Sequence, residues 1–154
     1  MNVASLEILE PGLMTTIQDK GRYGYQRFGV PVSGALDWFS LRAANRLIGE
    51  CDDAAGLEIT VVGPKIKFLT DTWIAMTGAD LAPSIDGDPA PMWQSINVSE
   101  GSILSFNGAV DGLRSYLSVA GGIDVPLVMD SRSTYVKGAI GGMKGRALES
   151  GDVI

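Results

Sequence analysis

The sequence contains no histidine and only one cysteine, Cys51, among its 154 residues. The absence of histidine removes the commonest zinc ligand and the usual general base at neutral pH, and a single cysteine cannot form an internal disulfide. We therefore expect no metal in this chain. Its chemistry must depend on carboxylate, hydroxyl, amide, lysine or arginine groups, or on a partner.

Basic residues and long apolar runs are also scarce. The 18 acidic residues outnumber the 12 basic ones and give a formal net charge of −6, so no nucleic-acid partner is expected. No apolar run approaches the roughly 18 residues that a membrane-spanning helix requires. Residues 1–12 lack the basic and apolar regions of a secretory signal. These absences predict a folded cytoplasmic protein with no membrane partner.

Glycine, by contrast, is abundant. Twenty glycines and seven prolines separate short apolar runs, a cadence that is typical of many short strands in a β-barrel or sandwich. Two strands joined by a tight turn at Gly63-Pro64 are expected within residues 56–69. Further strands are expected at residues 73–77, 81–85, 93–98, 103–106 and 116–119.

One segment has helical periodicity. Between residues 37 and 48, Phe39, Ala43 and Leu47 recur at intervals of four, which places them on one side of a helix. Asp37, or Ser33 one turn earlier, is a suitable N-cap residue. The pattern therefore predicts a mainly β chain with one short helix.

The densest polar segment, residues 15–37, supplies the first candidate site. Asp19 and Arg22 flank a glycine turn, an arrangement in which a carboxylate can fix a guanidinium fork for recognition of a planar carboxylate or carbamate. The same two side chains can instead form an ion pair that holds a long loop on the β-structure. Ser33 and Asp37 can present backbone N–H groups to an anion, or can simply cap the helix.

Other functional groups are spread along the chain. Glu58 lies in an otherwise apolar strand, where burial would make it a candidate catalytic carboxylate and exposure would make it a surface side chain. Arg114 is either a carboxylate ligand or a surface arginine at a strand start. Arg132 lies among the hydroxyls of residues 131–134. The glycine-rich residues 138–146 lack the spacing of a phosphate-binding loop, so a flexible loop that orders with a partner or ligand is expected.

The order of these motifs resembles one protein family. The resemblance lies in residues 14–37, the helical segment 40–49, the strand 56–60 with Gly63-Pro64, residues 116–124 and residues 131–134. Together they resemble the allophanate hydrolase subunit 2 family, also called the biotin-dependent carboxyltransferase family. That family includes the C subunit of the ATP-dependent 5-oxoprolinase, the carboxyltransferase region of urea carboxylase and the antagonist of a sporulation kinase inhibitor.

The resemblance implies a fold and a function. Residues 1–154 are expected to form a single cyclophilin-like β-barrel domain that corresponds to the N-terminal half of longer family members. The implied function is that of a component like the C subunit of a 5-oxoprolinase, which hydrolyses 5-oxo-L-proline to L-glutamate. Homologues of the A and B subunits are the implied partners, and the B subunit is also called subunit 1. ATP is expected to be used by the complex, and no cofactor is expected in this chain.

Two alternatives accompany this function. The first is the carboxyltransferase component of a urea carboxylase and allophanate hydrolase system, which would require biotin on a carrier partner. The second is a non-catalytic regulator that binds a subunit 1-type kinase inhibitor.

The resemblance also implies a small anionic substrate. An arginine-based clamp suits such a substrate, and the candidate binding residues are Asp19, Arg22, Ser33, Asp37 and Arg132. No catalytic residue is assigned. A strand begins at residues 152–154 with nothing after it to complete a hairpin, so either the chain is a fragment or this strand pairs with an early part of the chain. If it has no partner, self-association through the unpaired edge is expected.

Overall fold

The computed structural model describes residues 5–154. Within them, ten strands form two five-stranded sheets in which neighbouring strands are antiparallel. The first sheet has the order β1 (Leu6–Glu10), β4 (Lys65–Phe68), β9 (Ile103–Phe106), β6 (Pro83–Ile85) and β7 (Asp88–Pro89). The second has the order β2 (Met14–Gln18), β3 (Gly56–Thr60), β10 (Asp111–Val119), β5 (Thr72–Asp80) and β8 (Ser95–Val98). The helices are α1 (Trp38–Leu47) and two short 3-10 turns, Gln26–Phe28 and Val136–Gly138.

The prediction of a mainly β chain with one α-helix is confirmed, although the two sheets do not close into one barrel. The strands on either side of Gly63-Pro64 do not form the expected hairpin. Strand β3 pairs with β2 and β10, whereas β4 pairs with β1 and β9. The chain crosses between the sheets at Gly63, where a Cβ would lie 2.4 Å from the ring of Phe106. A larger residue would therefore collide with β9 at this crossing.

Alternating side chains decide which face of each sheet enters the core. On β3, Leu57 and Ile59 are fully buried among core residues, and on β4 Ile66 and Phe68 are buried in the same cluster. Burial of side chains of this size stabilises the fold by about 1.5–3 kcal/mol each. Because successive strand residues point to opposite faces, Glu58 lies on the other face of the second sheet, where α1 packs.

Helix α1 begins at the predicted position. The Asp37 carboxylate accepts hydrogen bonds from the backbone N–H of Ser40 at 3.1 Å and from its hydroxyl at 2.6 Å, which satisfies the N-terminus. Leu41 and Ala44 are buried against the sheet, whereas the predicted stripe residue Phe39 is 64% exposed. No helix within the described residues is long and apolar enough to cross a membrane.

The last three residues have a partner within the chain. Leu6 and Ile154 exchange backbone hydrogen bonds of 2.8 and 2.9 Å, and the N–H of Ile8 donates to the carbonyl of Asp152 at 2.8 Å. The segment therefore extends the first sheet beside β1. The expectation of an unpaired last strand is therefore wrong, and the alternative, that this strand pairs with an early part of the chain, is confirmed.

Candidate functional site

The first polar cluster joins the end of β2 to a distant loop, and we call it the Asp19 cluster: Asp19, Arg22 and the loop residues bound to them. The Asp19 carboxylate is buried and accepts hydrogen bonds from the N–H groups of Gly21 (2.8 Å) and Arg132 (2.6 Å). It also accepts from the hydroxyls of Ser131 (2.7 Å) and Ser133 (2.5 Å). Burial acts to raise the pKa of Asp19, but these four donors outweigh it and hold the pKa below its ordinary value.

Arg22 is fully buried in this cluster but does not pair with Asp19. Its guanidinium donates to the carbonyl oxygens of Val128 (2.8 Å), Ser131 (3.4 Å) and Ser133 (2.9 Å). The prediction that Asp19 fixes the Arg22 guanidinium, either as a clamp or as an ion pair, is therefore wrong. The carboxylate binds the donors of the loop and the guanidinium binds its carbonyl groups, so the two residues hold one loop through opposite chemistry.

The other predicted binding residues do not meet in one cleft. Arg132 joins the Asp19 cluster only through its backbone, while its guanidinium binds the Val125 carbonyl at 3.0 Å and the Asp124 carboxylate at 3.4 Å. Ser33 has a left-handed φ of 55° and lies in the loop that packs on residue 21. Asp37 is the exposed N-cap residue of α1. The structure thus brings Asp19, Arg22 and the Arg132 backbone together and leaves Ser33 and Asp37 outside.

The glycine-rich residues 138–146 pack over the Asp19 cluster. A Cβ on Gly141 would lie 2.1 Å from the Ser133 carbonyl oxygen and 2.6 Å from the Arg22 guanidinium, and one on Gly145 would lie 2.1 Å from the backbone of Ala139. These glycines therefore permit close packing of backbone on backbone. The segment is a packed part of the cluster instead of an open loop.

A second polar cluster lies on the outer face of the second sheet, and we call it the Glu58 cluster: Glu58, Thr60, Arg114 and Tyr116. The register of β3 and β10 places Glu58 opposite Tyr116 and Thr60 opposite Arg114. Alternate residues of a strand share a face, so all four side chains lie on the side away from the core. Glu58 is only 8% exposed. Of the two alternatives for Glu58, the structure shows the buried one, and the alternative of a solvent-facing side chain is wrong.

One half of the Glu58 cluster is fully hydrogen-bonded. Oε2 of Glu58 accepts from the Tyr116 hydroxyl at 2.8 Å and from the N–H of Leu36 at 2.7 Å, and the Tyr116 hydroxyl accepts from the N–H of Asp37 at 2.8 Å. Burial raises the pKa of Tyr116 against the opposing hydrogen bond from Asp37, and the nearby charge of Glu58 adds to the rise. Tyr116 thus remains a protonated donor that holds Glu58 in place.

The other half of the cluster is not satisfied. Nε of Arg114 lies 3.7 Å from Oε1 of Glu58, which is too long for a hydrogen bond. Nε of Arg114 and Oγ1 of Thr60 are both buried without a hydrogen-bond partner. Leaving a buried polar group unpaired costs about 1–3 kcal/mol. Because 28% of the Arg114 side chain is exposed, the cluster reaches the surface at this residue, and we regard it as the candidate ligand site.

The Glu58 cluster arises from polar side chains that alternate with core residues on several strands, and no single strand predicts the cluster. Polar side chains alternate with core residues along β3, and the same alternation recurs along β10. The polar row continues to Thr16 on β2 and Thr77 on β5, which lie opposite Glu58 and Tyr116. Only the pairing of strands places these residues side by side, and the sequence does not state that pairing.

An exposed apolar face lies on α1 and beside it. Trp38, Phe39 and Trp93 are 59%, 64% and 47% exposed. A groove of about 520 Å³ runs along this face and is lined by Phe39, Arg42, Ala43, Arg46, Leu47 and Trp93. Asp52 binds the guanidinium groups of Arg42 and Arg46 at the groove, and these two hydrogen-bonded arginines lower the pKa of Asp52. Aromatic side chains exposed together in this way are typical of an interaction surface.

Comparison with known proteins gives this architecture a family context. The family model described as "Carboxyltransferase domain, subdomain A and B" matches residues 28–154. Urea amidolyase of Saccharomyces cerevisiae is 44% identical over 151 residues, which are 97% of this chain and 8% of that protein. The 5-oxoprolinase C subunit of Escherichia coli is 44% identical over 147 residues, which are 96% of this chain and 47% of that protein.

A solved structure supports the same relation. The crystal structure of the Kluyveromyces lactis urea carboxylase matches with a TM-score of 0.94 and 43% identity, covering 99% of this chain and 14% of that one. The chain therefore spans less than half the length of each of these relatives.

Proposed function

Since this chain belongs to the carboxyltransferase domain family, subdomain A and B, we propose that it is a component of an ATP-dependent 5-oxoprolinase, in the place of the C subunit. The reaction is hydrolysis of the lactam of 5-oxo-L-proline to L-glutamate. The observation that carries this proposal is the 44% identity with the C subunit of the Escherichia coli 5-oxoprolinase over 96% of the chain.

In this proposal the chain works with homologues of the A and B subunits. ATP is used by the complex in this proposal, and no residue of this chain is assigned to bind it. The exposed face of Trp38 and Phe39 supports a lasting contact with a partner protein, since large apolar side chains are costly to leave in water. The contribution of this chain is to bind and orient a small substrate beside that partner.

A second candidate function is the carboxyltransferase component of a biotin-dependent urea carboxylase. The observation in its favour is the 44% identity with the Saccharomyces cerevisiae urea amidolyase over 97% of the chain. This function requires biotin on a carrier partner. It shares with the first a substrate that carries an amide-type N–H and carbonyl group.

Reconstitution with partners tests both functions. The full chain is co-expressed with homologues of the A and B subunits, and release of glutamate from 5-oxoproline with ATP is measured with and without the chain. Urea, bicarbonate, ATP and a biotinylated carrier with its carboxylase are supplied in a parallel reaction. We expect glutamate only when the chain is present. Carboxylation of urea alone would support the second function, and activity in neither reaction with the partners still bound would support a regulatory role.

A further inference from the structure

We propose that the Glu58 cluster is a binding site for a cis-amide edge, meaning a group whose N–H and C=O point to the same side. Lactams, urea and ureido rings carry such an edge. The site stands on the geometry of Glu58, Thr60 and Arg114, and the choice of a lactam as its natural ligand rests on the proposed function.

Glu58 supplies the acceptor. Its Oε2 is occupied by the Tyr116 hydroxyl and the Leu36 N–H, at 2.8 and 2.7 Å. These two bonds fix the orientation of the carboxylate, so Oε1 is held beside Arg114 and accepts no hydrogen bond from the described residues. A charged acceptor binds an N–H group more strongly than a neutral one does.

Arg114 and Thr60 supply the donors. The Arg114 guanidinium makes no hydrogen bond within the described part of the chain, and its one ionic contact is the 3.7 Å approach to Glu58. The Thr60 hydroxyl, on the neighbouring strand, is 9% exposed as a residue and has no partner. A guanidinium has only donors, and a hydroxyl can donate one proton. Both groups therefore suit a carbonyl oxygen.

The spacing of these groups matches one arrangement of an amide. In an amide group the nitrogen and oxygen lie about 2.2 Å apart, given C–N and C=O bonds of about 1.33 and 1.23 Å. When both point to the same side, the N–H can reach Oε1 of Glu58 while the carbonyl reaches the Arg114 guanidinium, since these groups lie 3.7 Å apart. A trans amide points its N–H and C=O to opposite sides and can satisfy only one. A carboxylate group has no N–H to donate to Oε1 of Glu58, so it cannot replace the amide edge.

Titration of the full chain with small amides tests this proposal directly. The probes are 2-pyrrolidinone, urea and 2-imidazolidinone, which represent a lactam, the urea substrate and a ureido ring. N-methyl-2-pyrrolidinone lacks the N–H, and N-methylacetamide is a trans amide. We expect the NMR signals of the Arg114 guanidinium and the Leu36 N–H to shift with at least one of the three probes and with neither control. The probe that binds most tightly identifies the source of the ligand.

Two substitutions locate the binding. Glu58→Gln keeps the shape of the side chain. Its single oxygen must accept the hydrogen bonds from Tyr116 and Leu36, so its NH₂ group, which is a donor, faces the ligand. We expect binding of the best probe to weaken about tenfold or more. Thr60→Val removes one donor without changing the side-chain shape, and we expect a loss of about threefold to tenfold. Glu10→Gln is the matched control, because Glu10 lies 3.7 Å from Lys65 in an exposed ion pair, and it should bind like the wild type.

The outcome separates this proposal from the proposed function. Equal shifts with the N-methylated control, or unchanged binding by Glu58→Gln and Thr60→Val, would overturn the site. If glutamate is still released by the complex in that case, the proposed function stands without it. If the probes bind as expected but no glutamate is formed, the site stands and the 5-oxoprolinase function fails.

Discussion

The Asp19 cluster and the Glu58 cluster contain the same chemical groups, but their carboxylates and guanidinium groups are hydrogen-bonded to different extents. Each has a buried carboxylate near an arginine on the second sheet or beside it. In the Asp19 cluster, four donors surround the carboxylate and three carbonyl groups hold the guanidinium. In the Glu58 cluster, within the described residues, Oε1 accepts no hydrogen bond and the Arg114 guanidinium donates none. In each cluster one buried arginine nitrogen lacks a partner in the described part of the chain, Nη1 of Arg22 and Nε of Arg114. The clusters differ in their carboxylates, because both oxygens of Asp19 accept hydrogen bonds, whereas only Oε2 of Glu58 does so within the described residues.

The largest expected effect comes from a substitution that breaks the Asp19 cluster. Asp19→Asn removes the charge and places an NH₂ group among four donors, so we expect a loss of about 3 kcal/mol in the free energy of unfolding. Urea denaturation measures it. Asp71→Asn is the control, because Asp71 is exposed and accepts one hydrogen bond, from the Glu100 N–H at 2.7 Å. Equal stability of the two variants would contradict a structural role for Asp19.

The next largest loss of stability is expected from a substitution at a glycine that packs over the Asp19 cluster. Gly141→Ala places a Cβ against the Ser133 carbonyl at a backbone φ of +71°, so we expect a loss of about 2 kcal/mol or more. Gly121→Ala shares a positive φ, +88°, but its Cβ would meet nothing within 4 Å. It isolates the backbone strain, with an expected loss of about 1 kcal/mol. Thermal unfolding compares the two, and equal losses would mean that the contact with residue 133 is unimportant.

The same cluster predicts a dependence of stability on pH. The folded pKa of Asp19 lies below its ordinary value of 3.8, so its ionised form stabilises the folded state. This stability is fully present above the ordinary pKa and is lost as the pH falls through the lower folded pKa. Urea denaturation at several pH values below about 4 should therefore show a shallower loss for Asp19→Asn than for the wild type.

The smallest expected effect comes from a substitution in the Glu58 cluster, at a hydroxyl that has no hydrogen-bond partner among the described residues. Thr60→Val removes a buried hydroxyl that has no partner, so we expect stability to be unchanged or raised by up to about 1 kcal/mol. Thr134→Val is the matched change, because the Thr134 hydroxyl donates to the Ile17 carbonyl at 2.9 Å and its loss should destabilise the fold. Chemical denaturation measures both. A loss in Thr60→Val as large as that in Thr134→Val would show that Thr60 has a structural partner.

Local features of the fold were predictable from the sequence, and long-range ones were not. Helix α1 follows from the periodicity of residues 37–48 and the capping carboxylate of Asp37, both of which act within a few residues. The contact of Asp19 with Ser131 joins positions 112 residues apart, and the Glu58–Tyr116 bond joins positions 58 apart. The sequence Gly63-Pro64 indicates a turn, but it does not show whether the next strand pairs with the previous one or crosses to the other sheet.

The candidate site was only partly predictable for the same reason. Glu58 stood out because a carboxylate in an apolar strand is unusual, but the sequence left its burial or exposure open, and the structure shows that it is buried. Asp19 and Arg22 stood out because they are close in sequence, but each binds the loop at 128–133 instead of the other. Arg114 was a candidate carboxylate ligand, but the sequence did not show that it lies beside Glu58. Its importance lies in a cross-strand position and a missing hydrogen bond, which only the structure provides.

The most direct test compares the two arginines. Arg22→Met and Arg114→Met are each measured for the free energy of unfolding and for binding of 2-pyrrolidinone. Arg22→Met leaves the carbonyls of Val128 and Ser133 without their donor, so we expect a loss of about 2 kcal/mol or more in the free energy of unfolding. Arg114→Met should unfold like the wild type and lose binding of the lactam. If Arg114→Met loses as much stability as Arg22→Met while binding is retained, the distinction between the two clusters is contradicted.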